Sequence, residues 1–252
     1  MILPVLLILG MVGPVIMHQN TSIIGGEEAL LGEFPYMVSL IDVRYGTKIH
    51  FCGGAIYNSF WVLTAAHCVH IFTVNDIQVV AGEYDRSKDE GSEQTRNIAR
   101  ITKHPQFNSN TMHNDIAVLK LSKAFIFDSY VQPTTLAEQH DPLPESFTLA
   151  GWGSNTDDGD PMNVLHKVTV PRWIEEDCLE ALKNHYYTPA KETLCAGSEN
   201  GDGCLGDDGG PLISGGKAFG LASWSVGCAR PNTPAVYTAI SSFKDWIQSA
   251  TD

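Results

Sequence analysis

Three short segments carry side chains that could do acid–base chemistry. Leu63-Thr64-Ala65-Ala66-His67-Cys68 offers a histidine, the side chain whose ordinary titration lies nearest neutral pH. Asn114-Asp115-Ile116-Ala117-Val118-Leu119 sets a carboxylate at the opening of an apolar run, and Gly206-Asp207-Asp208-Gly209-Gly210-Pro211 is a glycine-rich turn with two more. Each alone is weak: a histidine beside a cysteine is more often structural, and Asn-Asp is usually a turn. A fourth segment, residues 82–94, holds Glu83, Glu90 and Glu93. Oxygen-only ligands on a flexible loop suit Ca²⁺; the plainer alternative is a solvated acidic loop. The six cysteines lack the paired C-x-x-C spacing of a zinc site. Their even number fits disulfides of a secreted globular protein, and by count alone about fifteen pairings are open.

The elements that must position these groups are short strands. The chain has 252 residues, 43% hydrophobic and 18% charged, which supports a sizeable core and excludes intrinsic disorder. Apolar or alternating runs recur at 36–41, 77–81, 116–121, 147–150, 168–170, 218–222 and 235–239, separated by Gly, Pro, Asn and Asp. This pattern predicts an all-β chain of barrels or sandwiches, with the proline-bearing stretch 132–145 joining two halves. One helix is expected at the end, where Ser242-Phe243-Lys244-Asp245 reads as a capping box before Trp246 and Ile247. The acidic runs 157–160 and 175–177 read as solvated loops. A net charge of −13 repels phosphate backbones and anionic lipid, so neither nucleic acid nor membrane is an expected partner. Residues 1–17, MILPVLLILGMVGPVIM, predict a signal peptide: the run is apolar, lacks a basic start and is too short for a comfortable span. The protein is therefore expected to be secreted and extracellular.

Taken together and in this order, the His, Asp and glycine-rich segments resemble the trypsin/chymotrypsin family of serine proteases, from Ile23 to the final helix. The resemblance implies two six-stranded antiparallel β-barrels with a C-terminal helix, about 23–135 and 136–252. Residues 18–22 become a short pro-segment, in which Asn20-Thr21-Ser22 is a glycosylation sequon. It implies disulfides Cys52–Cys68, Cys178–Cys195 and Cys204–Cys228. His67 becomes the general base, Asp115 its orienting acid, and the Gly206 and Asp208 amides the oxyanion donors. Cleavage would free Ile23, whose ammonium would pair with Asp207, although Ser22 stands where the family has Lys or Arg. Asp202 takes the floor of the specificity pocket. Glu83, Glu90 and Glu93 match the family's calcium loop, with carbonyls expected from Asp85 and Lys88; no cofactor is required for the chemistry.

Three departures cluster on one site. The family's Gly-Asp-Ser-Gly-Gly reads Gly-Asp-Asp-Gly-Gly, so Asp208 occupies the nucleophile position. Ser225 and Ala235 replace two pocket glycines and should narrow the space for a long side chain. The expectation is a proteolytically inactive homologue that acts as a monomer by binding a protein partner and binds no nucleic acid; the alternative is a trypsin-like endopeptidase with residual hydrolysis. Residues 26–30 and 32–36 (GEEAL and GEFPY) and Gly227-Cys228-Ala229-Arg230 are similar to mite gut trypsin-like allergens. That group includes inactivated paralogues in the scabies mite, which implies interference with host complement.

Overall fold

The computed structural model describes residues 25–154, 156, 159–198, 203–204 and 206–252. The expected signal peptide, the pro-segment with its sequon, Ile23, the pocket-floor Asp202 and residues 157 and 158 of the acidic run lie outside them. Among the described residues no helix is long and apolar enough to cross a membrane.

The first half closes on itself. Strands β2 (Met37–Asp42), β3 (Ile49–Asn58), β4 (Trp61–Thr64), β5 (Ile77–Ala81), β6 (Gln94–Lys103) and β7 (Ala117–Leu121) form a barrel in the order β2-β3-β4-β7-β6-β5. Every pairing in it is antiparallel. Val38, Leu40, Ile56, Val62, Val79 and Leu119 point inward with no exposure and fill its centre. Burial of this kind is the main stabilising term, about 25 cal/mol per Å² of apolar surface.

The second half holds the expected six-stranded ring with two added strands. It is an eight-stranded sheet in the order β1 (Glu27–Glu28), β10 (His166–Pro171), β9 (Ser146–Gly151), β12 (Pro211–Ser214), β13 (Lys217–Trp224), β14 (Ala235–Ala239) and β11 (Thr193–Ala196), with β8 (Thr135–Leu136) beside β13. Six strands from β10 to β11 curl round, and their outer edges touch through the single bridge Arg172–Ala196. The added edge strand β1 pairs with β10, and β8 joins in parallel. The first ring closes by a full ladder, and the six strands of the second close through this bridge.

Helices are few. Short α1 (Ala66–Val69) carries His67. The acidic run 175–177, expected as loop, instead opens α2 (Glu175–Leu182). Three carboxylates in a first turn suit a helix N-terminus, where unpaired amides and the dipole favour negative charge. The terminal helix α3 (Lys244–Thr251) is present, but the capping box is not: a 3₁₀ turn, Ile240–Phe243, precedes it, Phe243 is the cap residue, and no side chain caps it. Ser242 lies inside that turn, so its hydroxyl is not at the helix entrance. Ile247 is buried, Trp246 meets the His104 ring edge-on at 5.1 Å, and Arg100 donates to the Ala250 carbonyl at 3.0 Å. The last helix thereby ties the second half onto the first barrel. The three disulfides are the expected pairs.

Leu119 lies wholly inside the first barrel, so Leu119→Ala should cost about 2–5 kcal/mol of unfolding free energy in chemical denaturation. A loss below the error of the extrapolation would show that the ring is loosely packed.

Candidate active site

The cleft between the halves brings together what the sequence scatters. Asp115 ends the loop before β7 and has no solvent exposure. Its carboxylate accepts from the His67 ring Nδ1–H at 2.7 Å, the His67 backbone N–H at 2.8 Å and the Ser223 hydroxyl at 2.6 Å. Its backbone carbonyl accepts from Thr238 Oγ1 at 2.8 Å. The anion is buried but fully bonded, which is the condition for tolerating charge in an interior. The bond from Nδ1 sets the ring's orientation and leaves Nε2 facing the cleft.

Nε2 looks toward Asp208 Oδ2, 3.6 Å away. That separation is long for a direct hydrogen bond but short for opposite charges. Burial alone would lower the His67 pKa; the charges of Asp115 and Asp208 and their hydrogen bonding outweigh it and raise the ring to about 10. His67 is thus an imidazolium at neutral pH, held between two carboxylates.

The loop around Asp208 is shaped by glycine. Gly209 has φ +76°, and a β-carbon there would stand 2.3 Å from Thr64 Oγ1 and 2.7 Å from the Gly53 carbonyl. Gly53 N–H donates to the Asp208 carbonyl at 2.7 Å. The turn therefore lies directly against β3 and β4, which fixes the Asp208 side chain beside the histidine. Gly206, at φ +103°, turns its carbonyl to His50 Nε2 at 2.9 Å. Among the described residues the Gly206 and Asp208 N–H groups have no acceptor, as an oxyanion site requires.

His50 and Ser39 were not singled out by the sequence. His50 is buried, donates Nε2–H to Gly206 and accepts from the Ser39 hydroxyl at Nδ1, 2.7 Å away. Burial, then the Arg86 charge, pushes its pKa down to about 3, so the ring stays neutral. It braces the oxyanion loop from behind, 156 residues away in the chain, and nothing local marks it. Asp207 is buried too. Its carboxylate accepts from Gly153 and Cys204 N–H at 2.9 Å each, and burial lifts its pKa to about 7. Its expected partner Ile23 lies outside the described residues.

A pocket of about 300 Å³ opens beside His67 and Asp208, walled by Trp224, Ser225, Ala235 and Cys228. Ser225 and Ala235 line it as expected, and it remains open with both β-carbons in place. Across the first barrel, Glu83, Glu90 and Glu93 bring one carboxylate oxygen each within 4.8 Å of one another. Glu83 Oε1 is buried without a partner, and burial with two neighbouring carboxylates raises Glu83 to about 7. This donor set fits a hard divalent cation. The Asp85 carbonyl accepts from Lys88 N–H at 2.8 Å, and Glu93 accepts from the Glu90 and Gly91 amides.

Comparison with known proteins agrees with this geometry. The Trypsin family model matches residues 23–247. Trypsin-1 of Astacus astacus is 40% identical over 238 residues, covering 90% of this chain and 99% of the relative. Trypsin I-P1 of Gallus gallus is 34% identical, covering 94% and 92%, and the vitellin-degrading protease of Bombyx mori is 36% identical, covering 90% and 85%.

Two outcomes follow. By ¹H NMR, His67 should stay protonated until pH nears 10, and in Asp208→Ser it should titrate at least one unit lower. Because the folded pKa exceeds the unfolded value near 6.5, the pair's stabilisation is complete below pH 6.5 and fades as pH rises through about 10. A normal His67 titration in the native chain would refute the ion-paired cluster. Gly209→Ala should destabilise by more than about 2 kcal/mol, from the clash and the left-handed backbone together, as measured by thermal unfolding.

Proposed function

This chain belongs to the trypsin family of serine proteases, and we propose that within that family it is a proteolytically inactive member that works by binding. The observation that carries this reading is the carboxylate of Asp208 at the nucleophile position. Family chemistry needs a hydroxyl that gives its proton to a neutral histidine, attacks the peptide carbonyl and forms an ester that water can open. A carboxyl group at 208 attacks an unactivated amide poorly and would form a high-energy anhydride. It also sets negative charge beside the Gly206 and Asp208 amides, which must receive an oxyanion. His67, as imidazolium, cannot act as a base. Loss of such a nucleophile costs about 10⁶ in turnover, roughly 8 kcal/mol of barrier.

A second reading has specific support. The relatives are named as trypsins and a protease, the His67–Asp115 pair is intact, and the pocket is open. On that reading the chain keeps residual hydrolysis by activated water. Turnover of Arg and Lys esters after release of Ile23 separates the two. We expect none above background in the native chain, and at least about 10³-fold more in Asp208→Ser. Adding Ser225→Gly and Ala235→Gly should lower KM further. Clear turnover by the native protein would support the second reading.

The reading places the protein outside the cell, in keeping with its disulfides, as a monomer whose partner is another protein. By resemblance of segments 26–30, 32–36 and 227–230 to mite trypsin-like proteins, the partner proposed is a host complement component. Purified complement components should bind the immobilised chain in surface plasmon resonance; failure of all of them would remove this partner class.

The same reading gives Glu83, Glu90 and Glu93 a calcium ion. Without the ion, Glu83 titrates above its unfolded value, so stability should fall as pH rises from about 4.5 to about 7. Calcium should raise Tm and flatten that slope; identical melting curves in calcium and chelator would exclude the site.

A further inference from the structure

The gap between His67 and Asp208 also has the dimensions of a metal bridge. His67 Nδ1 is bound to a buried carboxylate that is itself saturated by two further donors. Metal-binding histidines characteristically carry this support: a carboxylate on one ring nitrogen fixes the tautomer and aims the other nitrogen at the ion. Here the other nitrogen faces a second carboxylate. The gap from Nε2 to Asp208 Oδ2 is 3.6 Å, longer than a strong hydrogen bond. A zinc ion about 2.0–2.2 Å from each atom would span it with an N–Zn–O angle of about 120°, close to a tetrahedral site. Asp208 is 39% exposed in its side chain and lies at the mouth of an open pocket, so water can complete the coordination.

We propose that His67 Nε2 and Asp208 Oδ2 form a two-ligand zinc site at the position of the lost nucleophile, completed by water. The exchange balances simply. Hydrated Zn²⁺ gives up two waters, His67 gives up its Nε2 proton to solvent, and Nε2 and Oδ2 take the vacated positions. Asp115 stays on Nδ1–H throughout as a positioning group. The imidazole–carboxylate pair selects a borderline metal such as zinc over calcium, which takes oxygen ligands. A serine at 208 would offer a neutral hydroxyl, a much poorer ligand. The substitution that removes one chemistry thus installs the donor for another. The site rests on where Asp208 stands, not on whether the chain cleaves peptides. Ester turnover would leave it intact, and loss of zinc binding would leave the reading of inactivity intact.

The test is zinc titration by isothermal calorimetry at neutral pH, in buffers of different ionisation enthalpy, with excess calcium to occupy the glutamate cluster. The native chain should bind one Zn²⁺ with release of about one proton. Asp208→Ser, which restores the family residue, should bind at least tenfold more weakly. His67→Gln should lose the site, with unchanged far-ultraviolet circular dichroism showing that both variants fold. Equal affinity in the native chain and Asp208→Ser would overturn the proposal, even if His67→Gln binds less, because the metal would then need the histidine alone.

Discussion

The Asp115 carboxylate is the charge on which the cleft depends. It has no contact with water, yet each of its oxygens is bonded, and its donors come from both halves of the molecule. His67 belongs to the first barrel, whereas Ser223 and Thr238 come from β13 and β14 of the second sheet. Removing any one donor would leave a buried anion short of a partner, which costs far more than an exposed ion pair contributes. The relative placement of the two halves and the direction of the His67 ring are thus one constraint.

Around that anion the site is organised by close backbone approach. Gly209 and Gly53 let the turn at 206–210 lie on β3, and Gly151 and Gly153 leave room for Asp207, whose oxygens stand about 2 Å from where their β-carbons would be. None of this depends on the identity of residue 208. The scaffold therefore holds a carboxylate at that position as firmly as it would a hydroxyl. What changes is charge: two carboxylates face one imidazole, and the ring keeps its proton. The pocket beside His67 likewise stays open with the β-carbons of Ser225 and Ala235 in its wall.

Much of this was legible in the residues, for identifiable reasons. Strands such as 77–81 and 235–239 matched the structure residue for residue, because short, mostly apolar runs bounded by turn residues mark strands buried on both faces. The histidine, aspartate and glycine-rich segments could be read because several residues act as a contiguous motif. What escaped lacked local pattern. His50 and Ser39 are single residues in ordinary strands and gain their role from a contact with Gly206 across the chain. The helix α2 was hidden by its own acids, which look like a solvated loop until their place in a first turn is known. The near-closure of the second sheet hangs on one bridge, Arg172–Ala196, which no periodicity encodes.

The crowding of Asp207 against Gly151 and Gly153 has an effect beyond chemistry. Those three positions hold one another fixed by volume alone. A β-carbon at either glycine would overlap the buried carboxylate, so this part of the cleft keeps its contour through shape and not through reactivity.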